Sequence, residues 1–208
     1  MNLENPLLVK NNQPYNTVPF EDIKSEHFLP AIKETICMAE SNIKSICENK
    51  NNPTFENTII PFETAQENLD YVSTVFHHLF ASEANSEIRN LINDINPLTT
   101  KLSNDIYLNE GLFSRIKEVF NSKESITYNE EDLRLINEIY SSFARNGANL
   151  SDDDKEVYRN ISQELSMLSP KFSDNVLKAS NKTNKSNVEY DKYDFGFCIE
   201  FSILDRNL

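Results

Sequence analysis

Chemistry needs histidines, cysteines or acids brought together, and this chain is sparing with the first two. Its histidines are His27, His77 and His78. Adjacent residues on a helix point about 100° apart, so His77 and His78 cannot grip one metal ion as an i, i+4 pair does. Their i+4 positions hold Ala81 and Ser82, so neither gains a helical partner. All three histidines are read as structural or surface residues. The cysteines Cys37, Cys47 and Cys198 are odd in number and lack CxxC spacing, which fits reduced, mostly buried thiols in a reducing compartment. Cys37 or Cys47 could be imagined with a distant histidine as nucleophile and base. Both lie on or beside the apolar face of a predicted helix, so packing is their expected use.

The acids are plentiful but ordered by helix starts. "EEDLRLINE" (130–138) and "SDDDKE" (151–156) could be read as paired catalytic carboxylates. Each follows a capping residue, Asn129 or Ser151, and acids in a first helical turn face the positive end of the helix dipole. Capping therefore explains them. No HExxH, G-x-S-x-G or phosphate-binding glycine loop occurs anywhere. On residue chemistry alone the expected catalytic, cofactor-binding and metal-ligating sets are all empty.

Whatever these residues do, helices must position them. Residues 1–24 carry Pro6, Pro14 and Pro19 among polar residues and read as an extended arm. From Ser25, Phe28, Ile32, Ile36, Ala39, Ile43 and Ile46 recur at spacings of three and four, one helix face. "ENKNNPTFEN" (48–57) breaks that pattern, with Thr54 or Asn57 as the next N-cap. A second run joins Ile59, Phe62, Ala65, Leu69, Val72, Phe76 and Leu79, with Pro61 tolerable only in the first turn. A third covers Ile88 to Leu108, where Pro97 predicts a kink. A shorter helix spans about 110–120.

Asn129-x-x-Asp132 resembles a capping box and opens a helix with Leu133, Ile136, Ile139, Tyr140 and Phe143 on one face. Asn146-Gly147 supplies a left-handed stop, and Ser151 with Asp154 restarts the chain. Val157, Ile161, Leu165, Leu168, Phe172 and Val176 then form one further face. The fold class is all-α, a multi-helix antiparallel array over 25–179. Residues 180–208 differ: "SNKTNKSN" reads as a polar linker, and "YDFGFCIEFSI" (193–203) alternates at period two as an unpaired strand-like tail.

Composition agrees with a helical protein. Three glycines in 208 residues leave few for hairpins, and 13 Phe with 8 Tyr provide material for a core. The formal charge is −13, from 33 acids and 20 bases, so a phosphate backbone is repelled and nucleic acid is not an expected partner. No segment nears the roughly 20 apolar residues of a membrane span, and no signal peptide is read at the N-terminus. Cytoplasmic location is the expectation.

Several stretches together resemble one family. "NPTFENTI" (52–59), "NDIYLNEGLFSRIKEVF" (104–120) and "FARNGANLSDDDKEVYRNISQELSMLSPKFSDNVL" (143–177) are similar to the N-terminal part of the zinc peptidases that include oligopeptidase A, peptidyl-dipeptidase (dipeptidyl carboxypeptidase) and thimet oligopeptidase. "NPLL" and "VPFEDIKSEHFLPAIKETI", within 5–36, fit the same template. The resemblance implies a helical lobe lining a channel that admits short peptides, and hydrolysis by a zinc-activated water held through HExxH and a further Glu. No position here matches those ligands, so none is carried over: zinc is implied for the full-length family and not for this chain.

The resemblance fades after about Leu177–Ala179. A truncated or frame-shifted gene is the favoured explanation for the last residues, and a genuine short protein with its own terminus is the other. The resulting expectation is the N-terminal helical part of a cytoplasmic zinc peptidase, inactive alone. The alternative is a non-catalytic helical module that binds peptides or a partner. In either case an apolar surface facing the missing lobe predicts self-association.

Overall fold

The structure, a computed structural model, describes residues 5–9, 13, 15, 17–82, 86–122 and 128–186. All regular structure among the described residues is helical: α1 (Ser25–Cys47), a π-helical turn (Phe55–Ile59), α2 (Ile60–Thr64), α3 (Glu67–Ser82), α4 (Ser86–Tyr107), α5 (Glu110–Ser122), α6 (Glu130–Arg145) and α7 (Asp152–Ser186). They fall into two units, Met1–Leu168 and Ser169–Leu208.

In the first unit several helices start where a side chain satisfies a backbone amide. At α1 that side chain is His27: the Lys24 amide donates to its Nδ1 at 3.1 Å, the part usually played by a glutamate in a capping box. The arm before it is tied down by Asn5, whose Nδ2 donates to the His27 carbonyl at 2.8 Å while its Oδ1 accepts from the Leu7 amide at 3.0 Å. Leu7 is thereby delivered into the core. The apolar face of α1, including Phe28, Ile32, Ala39 and Ile43, is buried against α3 and α4.

The second apolar run is not one helix. Thr54 and Asn57 cap each other reciprocally: Thr54 Oγ1 accepts from the Asn57 amide at 3.2 Å, and Asn57 Oδ1 from the Thr54 amide at 2.9 Å. They open the π-helical turn, which runs into α2 with Pro61 in its first turn, where a missing N–H costs least. The chain then breaks at Ala65–Gln66. There Asn42 of α1 donates its Nδ2 to the Ala65 carbonyl at 3.0 Å, satisfying an acceptor that a continuous helix would have used.

Helix α4 stays one element with Pro97 inside it. Asn129 accepts from the Asp132 amide at 2.7 Å and so caps α6. Between α5 and α6 lies an aromatic cluster centred on Phe143, which is fully buried. Its ring lies 5.9 Å from Phe113, 5.4 Å from Phe62 and 5.0 Å from Tyr107. Contacts of this geometry add to the area-driven stabilisation of large rings.

Helix α6 ends by a left-handed residue. Gly147 has φ +92°, and the Ala148 amide reaches back to the Phe143 carbonyl at 3.0 Å, the six-to-one bond of a Schellman stop. A Cβ on Gly147 would meet Leu150 at 3.0 Å and Leu108 at 3.1 Å, so conformation and space both demand glycine here. Ser151 Oγ accepts from the Asp154 amide at 3.2 Å and α7 begins.

The second unit is described from 169 to 186, a single stretch of helix in which Phe172, Val176 and Leu177 are exposed. The helix therefore continues past residue 179 into the segment read as a linker. Nothing between Ser180 and Ser186 is Gly or Pro, so no residue there forces a stop. No strand occurs among the described residues, and the strand-like tail expected at 193–203 lies outside them.

Candidate functional site

The chemically capable residues stay apart. His27 is used as the cap of α1. His77 is exposed with its ring 5.3 Å from Phe76, and desolvation by the surrounding packing pushes its pKa below the ordinary imidazole value. His78 faces the Phe20 ring at 6.0 Å and borders an open hollow of about 430 Å³ shared with Ile23, Ser25 and Ile88. Cys37 is exposed, which corrects the expectation of a packed thiol: it sits two residues from both Thr35 and Ala39, which take the buried face. Cys47 is half-buried, its Sγ 3.8 Å from Asn109 Oδ1, and burial raises its pKa against the opposing pull of Arg115. Cys198 lies outside the described residues. Among the described residues no three His, Cys, Asp or Glu side chains gather closely enough to hold a metal ion.

Sequence reasoning missed Arg115. It occupies a core position of α5, between Leu112 and Val119, and is 9% exposed. Its Nη1 donates to the Asn49 carbonyl at 2.7 Å and the Asn51 carbonyl at 3.2 Å. Its Nη2 donates to Asn57 Oδ1 at 3.0 Å and Thr58 Oγ1 at 3.3 Å, while the buried Nε has no partner. The planar fork of a guanidinium suits such convergent neutral acceptors. Two of the stretches that carry the family resemblance, 52–59 and 104–120, are thus bolted together. The available signal was an arginine in step with the apolar positions Leu112, Ile116 and Val119.

The third stretch joins through salt bridges. Lys155, nearly buried, donates to Glu110 Oε1 at 2.7 Å, and its hydrogen bond and charge hold the Glu110 carboxyl below the usual carboxylate range. Arg159 Nη1 meets Asp105 Oδ1 at 2.5 Å, and Tyr158 donates to Asn146 Oδ1 at 3.3 Å. Further along, Gln163 Nε2 donates to the Pro97 carbonyl at 3.2 Å and Asn96 Nδ2 to the Ser166 carbonyl at 3.4 Å. Within the first unit, α7 therefore presents its polar face inward.

Its apolar face points out. Val157, Ile161, Leu165 and Leu168 in the first unit are all exposed, Leu165 by 55%. In the second unit Phe172 is 72% exposed, and Val176 is exposed as well. Single exposed apolar residues are ordinary, but a run of them at helical spacing marks an interaction surface. The face that Val157, Ile161, Leu165 and Leu168 present in the first unit is the candidate functional site: it can dock an apolar partner, and none of these four side chains is reactive.

The chain matches the family model described as Neurolysin/Thimet oligopeptidase, N-terminal domain, over residues 32–155. It is similar to the dipeptidyl carboxypeptidase of Escherichia coli, 33% identical over 183 residues that make up 88% of this chain and 27% of that protein. It is 28% identical over 180 residues to the oligopeptidase A of Haemophilus influenzae, covering 86% of this chain and 26% of the relative. Likewise it is 28% identical over 181 residues to the organellar oligopeptidase A of Arabidopsis thaliana, covering 87% and 22%. The chain spans about a quarter of the length of these curated relatives. The residues matched contain the reciprocal Thr54–Asn57 cap, the Arg115 junction and the Gly147 stop, and the chain belongs to the family of neurolysin/thimet oligopeptidase N-terminal domains.

Proposed function

We propose that this chain forms the N-terminal helical part of a cytoplasmic zinc peptidase acting on short peptides, and that alone it hydrolyses none. The family match over 32–155 supports the first half of the reading. The lack of HExxH in the sequence, with His77 and His78 side by side and His27 spent on a helix cap, supports the second. The absence of an HExxH motif from the sequence, and of a three-ligand His, Cys, Asp or Glu cluster among the described residues, supports the reading that these residues do not hold zinc. No catalytic step is therefore assigned to this chain. Its contribution is a rigid wall, fixed by Arg115 and the Phe143 cluster, that borders the peptide-binding space of the complete enzyme.

The experiment is an assay of purified 1–208 with an internally quenched short peptide, with and without added zinc. No turnover above the buffer rate is expected in either condition. Chelator-sensitive cleavage with stoichiometric zinc overturns the reading. One observation, the outward apolar face of α7, also favours a second role as a binding module.

A further inference from the structure

Asn146-Gly147 is the one Asn-Gly pair in the sequence, and such a pair carries a reaction that needs no enzyme. The backbone nitrogen that follows an asparagine can attack the asparagine Cγ, most readily when it belongs to glycine, which has no Cβ to shield it. At the joint between α6 and α7 this nucleophile is uncommitted. The backbone bonds that close the joint come from the amides of Asn146, Ala148 and Leu150, and among the described residues none comes from Gly147.

The electrophile, by contrast, is held. Asn146 closes α6 with φ −91° and ψ 21°, and its Nδ2 turns back to donate to the Ser142 carbonyl at 2.8 Å. Its Oδ1 accepts from the Tyr158 hydroxyl of α7 at 3.3 Å. Both bonds must break before Cγ can swing onto the Gly147 nitrogen. Gly147 is itself buried, so a solvent base reaches its N–H only when the joint opens.

We infer that Asn146 is a site of spontaneous deamidation gated by the joint between α6 and α7: inert while the joint is closed, converted when it opens. In the open joint hydroxide removes the Gly147 proton, the nitrogen bonds to Asn146 Cγ, and the Cγ–Nδ2 bond breaks. The departing nitrogen takes up a proton from water and leaves as ammonia, and a five-membered succinimide remains. Water then adds to either imide carbonyl, giving aspartate or isoaspartate with no change of oxidation state. Reclosing does not undo the change. A carboxylate has no hydrogen to donate to the Ser142 carbonyl, and its charge stands at the negative end of the α6 dipole. Isoaspartate also lengthens the backbone by a methylene at the stop that sets where α7 begins. None of this rests on the peptidase reading, because it is read from the mass of one segment and not from cleavage of a substrate.

The test holds the full 1–208 chain at mildly alkaline pH, digests it and follows the peptide carrying residue 146 by mass spectrometry, with isoaspartate counted by enzymatic methyl transfer. Conversion in the folded chain equals the open-state rate times the fraction of joints open, so it is expected to lag the same chain in urea by about tenfold or more. Tyr158→Phe, with helicity checked by circular dichroism, is expected to quicken conversion of the folded chain by about two- to tenfold, the factor carried by one hydrogen bond. Its rate in urea is expected to match the parent. Asn146→Asp is expected to speed hydrogen exchange in the last turn of α6 and the first turns of α7. Equal rates in the folded chain and in urea overturn the gate, and no conversion at Asn146 in urea overturns the site. A slower Tyr158→Phe variant overturns the clamp, because the hydroxyl would then be stabilising the attacked oxygen as its charge develops. Unchanged exchange in Asn146→Asp overturns the consequence for α7.

Discussion

Helices α6 and α7 stand on either side of Gly147 and carry apolar stripes of similar period, yet one is turned in and the other out. On α6, Ile136, Ile139 and Phe143 are buried, and the helix is held by ring contacts. On α7, the equivalent stripe is exposed, and the first half of the helix is held by Lys155, Tyr158, Arg159 and Gln163 through polar contacts. Amphipathicity is thus a statement about a helix having two faces. Which face the rest of the chain covers is settled by partners: a cation such as Lys155 with Glu110 waiting for it can seat a helix polar side down.

The largest effect should separate the two stripes outright. Phe143→Ala removes the hub of the aromatic cluster and is expected to cost about 3–5 kcal/mol in urea unfolding, the range for a fully buried phenylalanine. Phe172→Ala, on the outward stripe, is expected to change monomer stability by no more than about 0.5 kcal/mol. Comparable losses at the two sites would show that α7 is covered within its own chain and would break the comparison.

A middle-sized effect is expected at the joint. Gly147→Ala places a Cβ at a positive φ and about 3 Å from Leu108 and Leu150, for an expected loss of about 1–3 kcal/mol. Because the joint fixes where α7 begins, hydrogen exchange should speed up in the first turns of α7 as well as at the end of α6. Protection lost from α6 alone would mean that the salt bridges seat α7 without the joint.

The smallest effect is one of pH. Lys155 holds the Glu110 carboxyl below its ordinary value. A carboxyl depressed in the folded state contributes stability above its unfolded pKa, near 4.3, and loses it as pH falls through the lower folded value. Melting curves between neutral pH and about pH 3 should therefore show a shallower acid decline for Glu110→Gln than for the parent. Glu110 is exposed, so the difference should be small. Identical declines would mean that this pair does not seat the start of α7.

Much of this architecture was legible in the sequence, and the parts that were not share a cause. Local grammar was readable: Asn129 and Ser151 as caps, Gly147 as a stop, and the period of each apolar run. What depended on distant partners was hidden. The break at Ala65–Gln66 leaves the apolar period intact, and only Asn42, arriving from α1, reveals it. The role of Arg115 was hidden because its acceptors at Asn49, Asn51, Asn57 and Thr58 lie more than fifty residues away. The π-helical turn had no composition of its own. Likewise the stripe on α7 was visible, but its orientation was not, because that depends on polar partners at Glu110 and Asp105 that no periodicity records.

The Arg115 junction also limits how the domain can be divided. The Arg115 guanidinium takes carbonyls and neutral side-chain oxygens, in place of water, as its hydrogen-bond acceptors. Any fragment that begins after Thr58 strands a buried cation, whereas a fragment that keeps Asn49 through Val119 retains the whole lock. The domain is therefore indivisible between α3 and α4, a cut that would part Thr58 from Arg115. A proteolytic nick there should leave two pieces that stay together under native conditions.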